Sequence, residues 1–523
     1  MIRLVVKALA LNEVRLRMRR LSTLVALLAV AAISWAMISD PASGSSLIVS
    51  KDARVLYTSS ALAIGSASLA CILFGLGGFF LVRGRVSEDI RSGTGGVIGA
   101  TPVSNALLVF SRWLGSVAYL GAMLLVFMLT IVVLHLVRGE GPVQLHIYLQ
   151  TYVLLLLPMV LFTASCATLF DSYAPLLGKA GDVLYFFVWI AQLLIMVPLT
   201  EQGVSNAAIP LIELLDFSGI ASSMIATTAA LQSTNIALGG GDFNPALAPV
   251  VMKDFIWSAE LGMMRMMTGL LAMLPLVPAV LLFHRFSPDR VKVARANRRR
   301  SPLEVVNGWL RPLSNLVAPP LFRLGAALPG LTGQVVGDIA LTFVTSPSAV
   351  LALAASTVAA VVVPASAVGP VLMAAVAFWG VLISDMSTRD ADADTAGMTG
   401  AVQGGVVQRY VRQFIATGVV GLLFTGAVAL RLAAVQPTRA LAVLAGVACL
   451  SALASLFGRC SRSSRLFLAL FLFGLYVSVN APKIAMLDVA GFNGSATAAT
   501  AGFYLMIAVG ALAAGYLWNR RDI

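Results

Sequence analysis

What this chain can fold into is constrained above all by a succession of apolar runs, most of about 20 residues. A helix rises 1.5 Å per residue, so such a run crosses the roughly 30 Å hydrocarbon core of a bilayer. Lipid offers the backbone no hydrogen-bond partners, and each run must therefore satisfy its own groups as a helix. Twelve spans are read, over 21–39, 59–82, 107–134, 148–170, 183–200, 266–284, 347–364, 367–385, 412–433, 438–457, 465–480 and 499–518. Composition agrees: 59% of the 523 residues are hydrophobic and 11% are charged, where a soluble domain carries roughly 25% charged residues. The expectation is an all-α polytopic membrane protein of about 12 transmembrane helices, built as two six-span repeats.

The formal charge of +13 raises nucleic acid as a partner. Its distribution argues against one, because the basic residues sit in short loops beside apolar runs. With a cytoplasmic N-terminus, 27 of the 36 Lys and Arg fall in inside segments and eight lie outside or near outer span ends. That bias places both termini in the cytoplasm. Residues 1–38 imitate a signal peptide, but the spans that follow favour a retained first helix. The expected division is a first half, 1–284, then a basic cytoplasmic linker, 285–332, then a second half, 333–523. In the first half Arg3, Lys7, Arg15 and Arg19 interleave with Leu4, Leu11, Val14 and Met18, which suits an interfacial helix. Residues 333–346 precede the seventh span in the same way. The linker carries a basic run, 290–300, that suits anionic lipid or an ordinary cytoplasmic flank. A long outer connection, 201–265, is expected to contain short helices, and its counterpart, 481–498, is short.

Within this frame one cytoplasmic hairpin occurs twice. At an offset of 301 residues Thr94 falls on Thr395, Gly96 on Gly397, Gly99 on Gly400 and Ala100 on Ala401. Each copy has a charged first arm: Glu88, Asp89 and Arg91 in one, Arg389, Asp390, Asp392 and Asp394 in the other. Glycine is expected to supply a tight reversal. An Arg follows each, Arg112 and Arg412, with one residue of slip. The charged arms are suited to an external protein, and a duplicated unit suits a transporter with one pathway between its halves.

Other chemistry is not indicated. No GxxxxGK[ST] loop occurs, and Gly75-Leu-Gly-Gly78 and Gly239-Gly-Gly-Asp242 lack the following Lys-Ser/Thr, so the chain is not expected to hydrolyse ATP unaided. His135, His146 and His284 stand at no ligand spacing, and no metal is assigned. Cys71, Cys166 and Cys449 lie in apolar runs, Cys460 lies in a basic loop, and no CxxC pair exists. Asp171, Asp385, Glu201, Glu260 and Arg265 are read at span ends, which leaves span interiors almost without the ionisable groups of a proton pathway. Gly65, Gly418, Gly421 and Gly426 suit close helix approach.

The hairpin resembles that of the permease subunits of type-2 ATP-binding-cassette exporters. Glu88, Asp89, Gly96, Thr101, Pro102, Val103, Ser104 and Arg112 match the family pattern, which ends on a Thr-Pro-Val-Ser element before the third span. In the second half Gln403-Gly404-Gly405 replaces Pro-Val-Ser. The resemblance implies a separate cytoplasmic ATP-binding subunit, in two copies, that holds ATP and magnesium, and no cofactor in this chain. It implies that Glu88, Asp89, Arg91, Gly96, Thr101, Pro102 and Arg112, with Asp390, Asp392, Gly397 and Arg412, form the coupling hairpins. It further implies export across a bacterial inner membrane, with lipid as the other partner. The scarcity of charge in the spans points to an apolar or amphipathic substrate. The alternative is a secondary carrier with six-plus-six helices, a class that typically buries charged residues in its spans.

Overall fold

Arg20 has extended backbone dihedrals and separates an amphipathic helix, α1 (Ile2–Met18), from the first apolar helix, α2 (Leu21–Met37). The two helix axes meet at 73°. Thr23 stabilises the corner by donating its hydroxyl to the Arg17 carbonyl at 2.6 Å. This geometry comes from a computed structural model that describes residues 2–195, 209–283, 302–393, 395–401 and 404–520. The basic run 290–300 and Asp394 lie outside the described residues. The chain divides into two units, 1–299 and 300–523.

In the first unit α3 (Ser59–Val82) leads into a hairpin of two short helices, α4 (Arg85–Arg91) and α5 (Thr94–Ala100). Two long helices follow, α6 (Asn105–Arg138) and α7 (Leu145–Ser172), and then α8 (Lys179–Leu194). The outer connection holds the expected short helices, α9 (Ile209–Leu215) and α10 (Ile220–Leu231). A last pair, α11 (Ala259–Leu271) and α12 (Leu276–Leu282), makes one span. Helices α1 and α2 pack on α6, α3 packs on α7 and α8, and α11 and α12 pack on α7. The middle of α3 has small residues on every side (Gly65, Ser66, Ala67, Ser68), and all four are buried. Gly65 is required there, because a Cβ would stand 2.7 Å from the Leu47 side chain.

A small sheet departs from the all-helical expectation. Strand β1 (Ser45–Ser50) turns at Lys51 and Asp52, both at positive φ, into β2 (Ala53–Arg54). A two-residue turn of that kind matches the twist of the strands it joins. Strand β3 (Ile236–Asp242) pairs antiparallel with β1, which gives the order β2-β1-β3. Gly239, Gly240 and Gly241 are part of this strand.

The second unit opens with α13 (Pro302–Trp309) and α14 (Arg311–Ala327), so the described part of the expected linker is helical. Helices α15 (Gly330–Thr345) and α16 (Ser348–Val362) then meet at 101°, as α1 and α2 do at 73°. Next come α17 (Val368–Ile383) and a hairpin of α18 (Arg389–Asp392) and α19 (Ala396–Gly400). The unit ends with α20 (Gly405–Val435), α21 (Pro437–Ser461), α22 (Ser464–Asn480) and α23 (Ala498–Arg520). Helices α15 and α16 pack on α20, α17 on α22, and α23 on α21. These are the counterparts of the pairs α1–α6, α2–α6, α3–α8 and α11–α7. Each unit thus repeats the internal scheme of the other.

The chain is a multi-pass membrane protein. Among the described residues eight helices are long and apolar enough to cross, or ten when each bent pair is one span. Helices α8 and α22 have 16 and 17 residues. At 1.5 Å per residue their described lengths are about 24–26 Å, and α8 ends next to residues outside the described set. Of the three glycines singled out in α20, only Gly421 is in close contact: a Cβ there would lie 2.6 Å from the Trp379 ring, whereas Gly426 faces open space.

Candidate functional site

The first hairpin is built on a buried charge cluster. At the end of α3, Arg83 is 6% exposed and places Nη1 2.5 Å from Asp182 of α8. Gly84 takes φ +97, a conformation that favours glycine. Its N–H and that of Arg85 donate to the Asp171 carboxylate at 2.8 and 3.0 Å. Asp171, the last acidic residue of α7, thereby caps α4 and favours its N-terminus electrostatically. Burying charge is tolerable only with partners of this kind.

Asp89 sits on α4 with 1% exposure, and its Oδ2 meets Arg112 Nη2 of α6 at 2.5 Å. The Thr94 hydroxyl donates to the Asp89 carbonyl at 3.4 Å across the turn between the short helices. Glu88 is held by Arg20 at 2.5 Å and by Arg85 at 3.1 Å. Arg85 also reaches Glu13 of α1 at 3.2 Å. The amphipathic helix, the hairpin and α6 are thus joined by one network. The return is set by Pro102, which has no N–H to continue α5, by Thr101, which donates to the Ile98 carbonyl at 2.7 Å, and by Ser104, which caps α6 on Leu107 N at 3.3 Å. Arg91 ends α4, and its side chain lies outside the described residues.

In the second unit Asp390 takes the place of Asp89. Thr395 donates its N–H and its hydroxyl to the Asp390 carbonyl at 2.9 and 3.4 Å, as Thr94 does with Asp89. The basic partner differs from the expected one. Arg409 Nη1 lies 3.7 Å from Asp390 Oδ2 and donates to Thr399 Oγ1 at 2.7 Å. Arg412 instead places Nε 2.8 Å from Asp338 of α15. It is therefore not the counterpart of Arg112; it ties α15 to α20, as Arg17 ties α1 to Ser116 of α6 in the first unit at 3.3 Å. Asp392 accepts from Thr388 at 3.2 Å within its own turn.

The repeated glycines do not make the reversal. Gly96 and Gly397 lie in right-handed helix, and a Cβ on either would meet nothing within 4 Å. The left-handed positions are Gly84 and Gly93 in the first copy and Gly404 and Gly405 in the second. Beyond each open glycine stands an apolar side chain, Val97 and Met398, each 71% exposed. The two hairpins present the same bare-backbone patch and the same apolar knob.

A second cluster was hidden by a span boundary. Arg265, expected at a span end, is 2% exposed within α11. It donates to the carbonyls of Leu154, Leu155 and Asp216 and lies 3.7 Å from the Asp216 carboxylate. That carboxylate also accepts from Gly219 N and Ser222 N, each at 2.8 Å. Burial pushes the neighbouring Glu213 carboxyl above its ordinary range, against the attraction of Arg265. Arg265 and Asp216 are satisfied locally, which marks the cluster as a brace for the long connection.

Compared with known proteins, the chain matches no family model, no curated protein and no solved structure. The site must be read from its own geometry. The fold joins Glu88, Asp89, Thr101, Pro102 and Arg112 in one hairpin and Asp390 with Gly397 in the other. It separates Arg412 from them and adds Glu13, Arg83, Asp171, Asp338 and Arg409. A basic residue one turn before Arg412 was the available sign of Arg409. The acidic residues of the amphipathic helices carried no sign beyond their charge.

Proposed function

We propose that this chain is the permease subunit of an ATP-binding-cassette exporter of the type-2 class, with both halves fused in one polypeptide. The observation that carries the reading is the duplicated clasp. In each unit an Asp on a short helix is bonded to a Thr five residues on and ion-paired to an Arg of the next long helix. A force applied to such a hairpin reaches a spanning helix through a buried ion pair. The exposed knobs, Val97 and Met398, give a cytoplasmic partner the same grip twice, as two copies of one ATPase subunit require. In this reading ATP and magnesium belong to that subunit, and this chain is a transport subunit and not an enzyme. It resides in a bacterial inner membrane with both termini cytoplasmic, and its substrate is apolar or amphipathic.

The test is co-expression with a phosphate-loop ATPase encoded beside it, followed by co-purification and ATP-driven transport in vesicles. Val97→Asp with Met398→Asp is expected to abolish co-purification while the permease itself remains folded. Ion-driven solute movement by the isolated chain in liposomes, with no ATPase present, refutes the reading and favours a secondary carrier.

A further inference from the structure

The helical linker α13–α14 carries a bare apolar face. Trp309, the last residue of α13, is 77% exposed, and Leu316 of α14 is 74% exposed. Leu316, Pro320, Arg323 and Leu324 follow the spacing of one helical stripe, and all four are exposed. Apolar side chains grouped in this way mark a surface that something covers. The stripe is held in a fixed place. Helices α14 and α15 touch backbone to backbone: a Cβ on Gly325 would stand 3.1 Å from the Gly333 carbonyl oxygen and 3.4 Å from Gly337 N, and a Cβ on Gly333 would collide with the Gly325 carbonyl. The Asn307 side chain accepts from the N–H of Ser348, the first residue of α16, at 3.1 Å. That bond sets Trp309, two residues on, at the start of an apolar helix without a charged residue. Charge decides what covers the face. Arg311 and Arg323 are exposed, and no Asp or Glu occurs from Val305 to Gly337. Tryptophan at the end of an apolar segment, with arginine beside exposed leucine, suits a helix lying in the headgroup layer.

We propose that α13 and α14 lie in the plane of the membrane surface beside α15, as an anchor on anionic phospholipid. Trp309, Leu316 and Leu324 enter the acyl boundary, and Arg311 and Arg323 stay at the level of the lipid phosphates. Docked in this way, the linker fixes the corner between α15 and α16 at headgroup depth. The inference rests on residence in a membrane and not on the transport reading.

The test uses the full chain with Cys460→Ser, in which the remaining three cysteines are buried, and a spin label at Leu316→Cys. The protein is placed in vesicles of phosphatidylcholine, with or without phosphatidylglycerol. Relaxation of the label is read with dissolved oxygen, which concentrates in lipid, and with a water-soluble nickel chelate. The same label at the exposed Met398→Cys gives the aqueous reference. The Leu316 label is expected to be open to oxygen and several-fold less open to nickel than the reference, and more strongly so with phosphatidylglycerol. Arg311→Gln with Arg323→Gln is expected to lose the added effect of phosphatidylglycerol; an unchanged response there overturns the role of the two arginines. Nickel access at Leu316 equal to the reference overturns the proposal. Low access to both reagents also overturns it, because the face is then covered by protein, a second copy or another chain. Should the Leu316 variant fail to fold, the label at Trp309→Cys decides by the same outcomes.

Discussion

Arg409 and Asp390 form in the second unit the clasp that Arg112 and Asp89 form in the first, at 3.7 Å against 2.5 Å. The two Asp residues stand 301 positions apart, like the Thr and Gly pairs around them. The two Arg residues do not, because α20 begins with Gly404 and Gly405 where α6 begins after Pro102 and Ser104. The acidic half of the clasp kept its register and the basic half moved along its helix.

The first clasp is the more buried, and breaking it should be costly. Asp89→Asn removes the carboxylate paired with Arg112, which is itself 7% exposed. Removing one member of a buried pair typically destabilises by about 3–5 kcal/mol. Thermal unfolding in detergent should fall sharply for Asp89→Asn, whereas Asp392→Asn, at an exposed position, should change stability by less than about 0.5 kcal/mol.

Arg409 and Arg412 should behave differently although they are one turn apart. With Cys460→Ser to remove the exposed thiol, a spin label at Met398→Cys reports on the second hairpin. Arg409→Gln is expected to mobilise that label. Arg412→Gln is expected to leave it ordered and to loosen α15 instead. The opposite pattern refutes the pairing of Arg409 with Asp390.

Close packing in α20 is confined to one of its glycines. Gly421→Ala drives a methyl into the fully buried Trp379 ring and should destabilise by about 1–3 kcal/mol, as overpacking does. Gly426→Ala meets nothing and should be neutral or stabilise by about 0.5–1 kcal/mol through helix propensity. Urea or thermal midpoints of the two variants decide it.

The four cysteines make a labelling experiment. Cys460 is exposed, and Cys71, Cys166 and Cys449 are buried. A water-soluble maleimide should modify Cys460 alone, and from the cytoplasmic side in the proposed topology; labelling from outside refutes that topology. Gly219 sits between Cys71 and Arg265 in the outer brace. Asp216→Asn removes the carboxylate nearest Arg265 and should let a membrane-permeant maleimide reach Cys71.

Much of the architecture is legible in the order of residues. Each of the twelve apolar runs that lies among the described residues contains a helix, since hydropathy over about 20 residues is a strong local cue. The amphipathic helices before the first and seventh spans are legible from their charge pattern, and the hairpins from the duplicated Thr and Gly. The sheet is not, because β1 and β3 lie nearly 190 residues apart and three of the seven residues of β3 are glycine. Nor is Arg265, whose burial depends on α9 and α10 folding back over it.

Chain order alone settled the material of this protein: apolar segments that only lipid can solvate, arranged twice, each with a charged hairpin after its second apolar helix. Those properties are local, and hydropathy and offset express them fully. Tertiary structure decided the pairings. Arg409 and Arg412 differ by about 60° around one helix and about 4.5 Å along it, a difference that composition cannot see. Which of them faces Asp390 follows from where α15, α19 and α20 pack, and that is fixed by side chains distant in sequence.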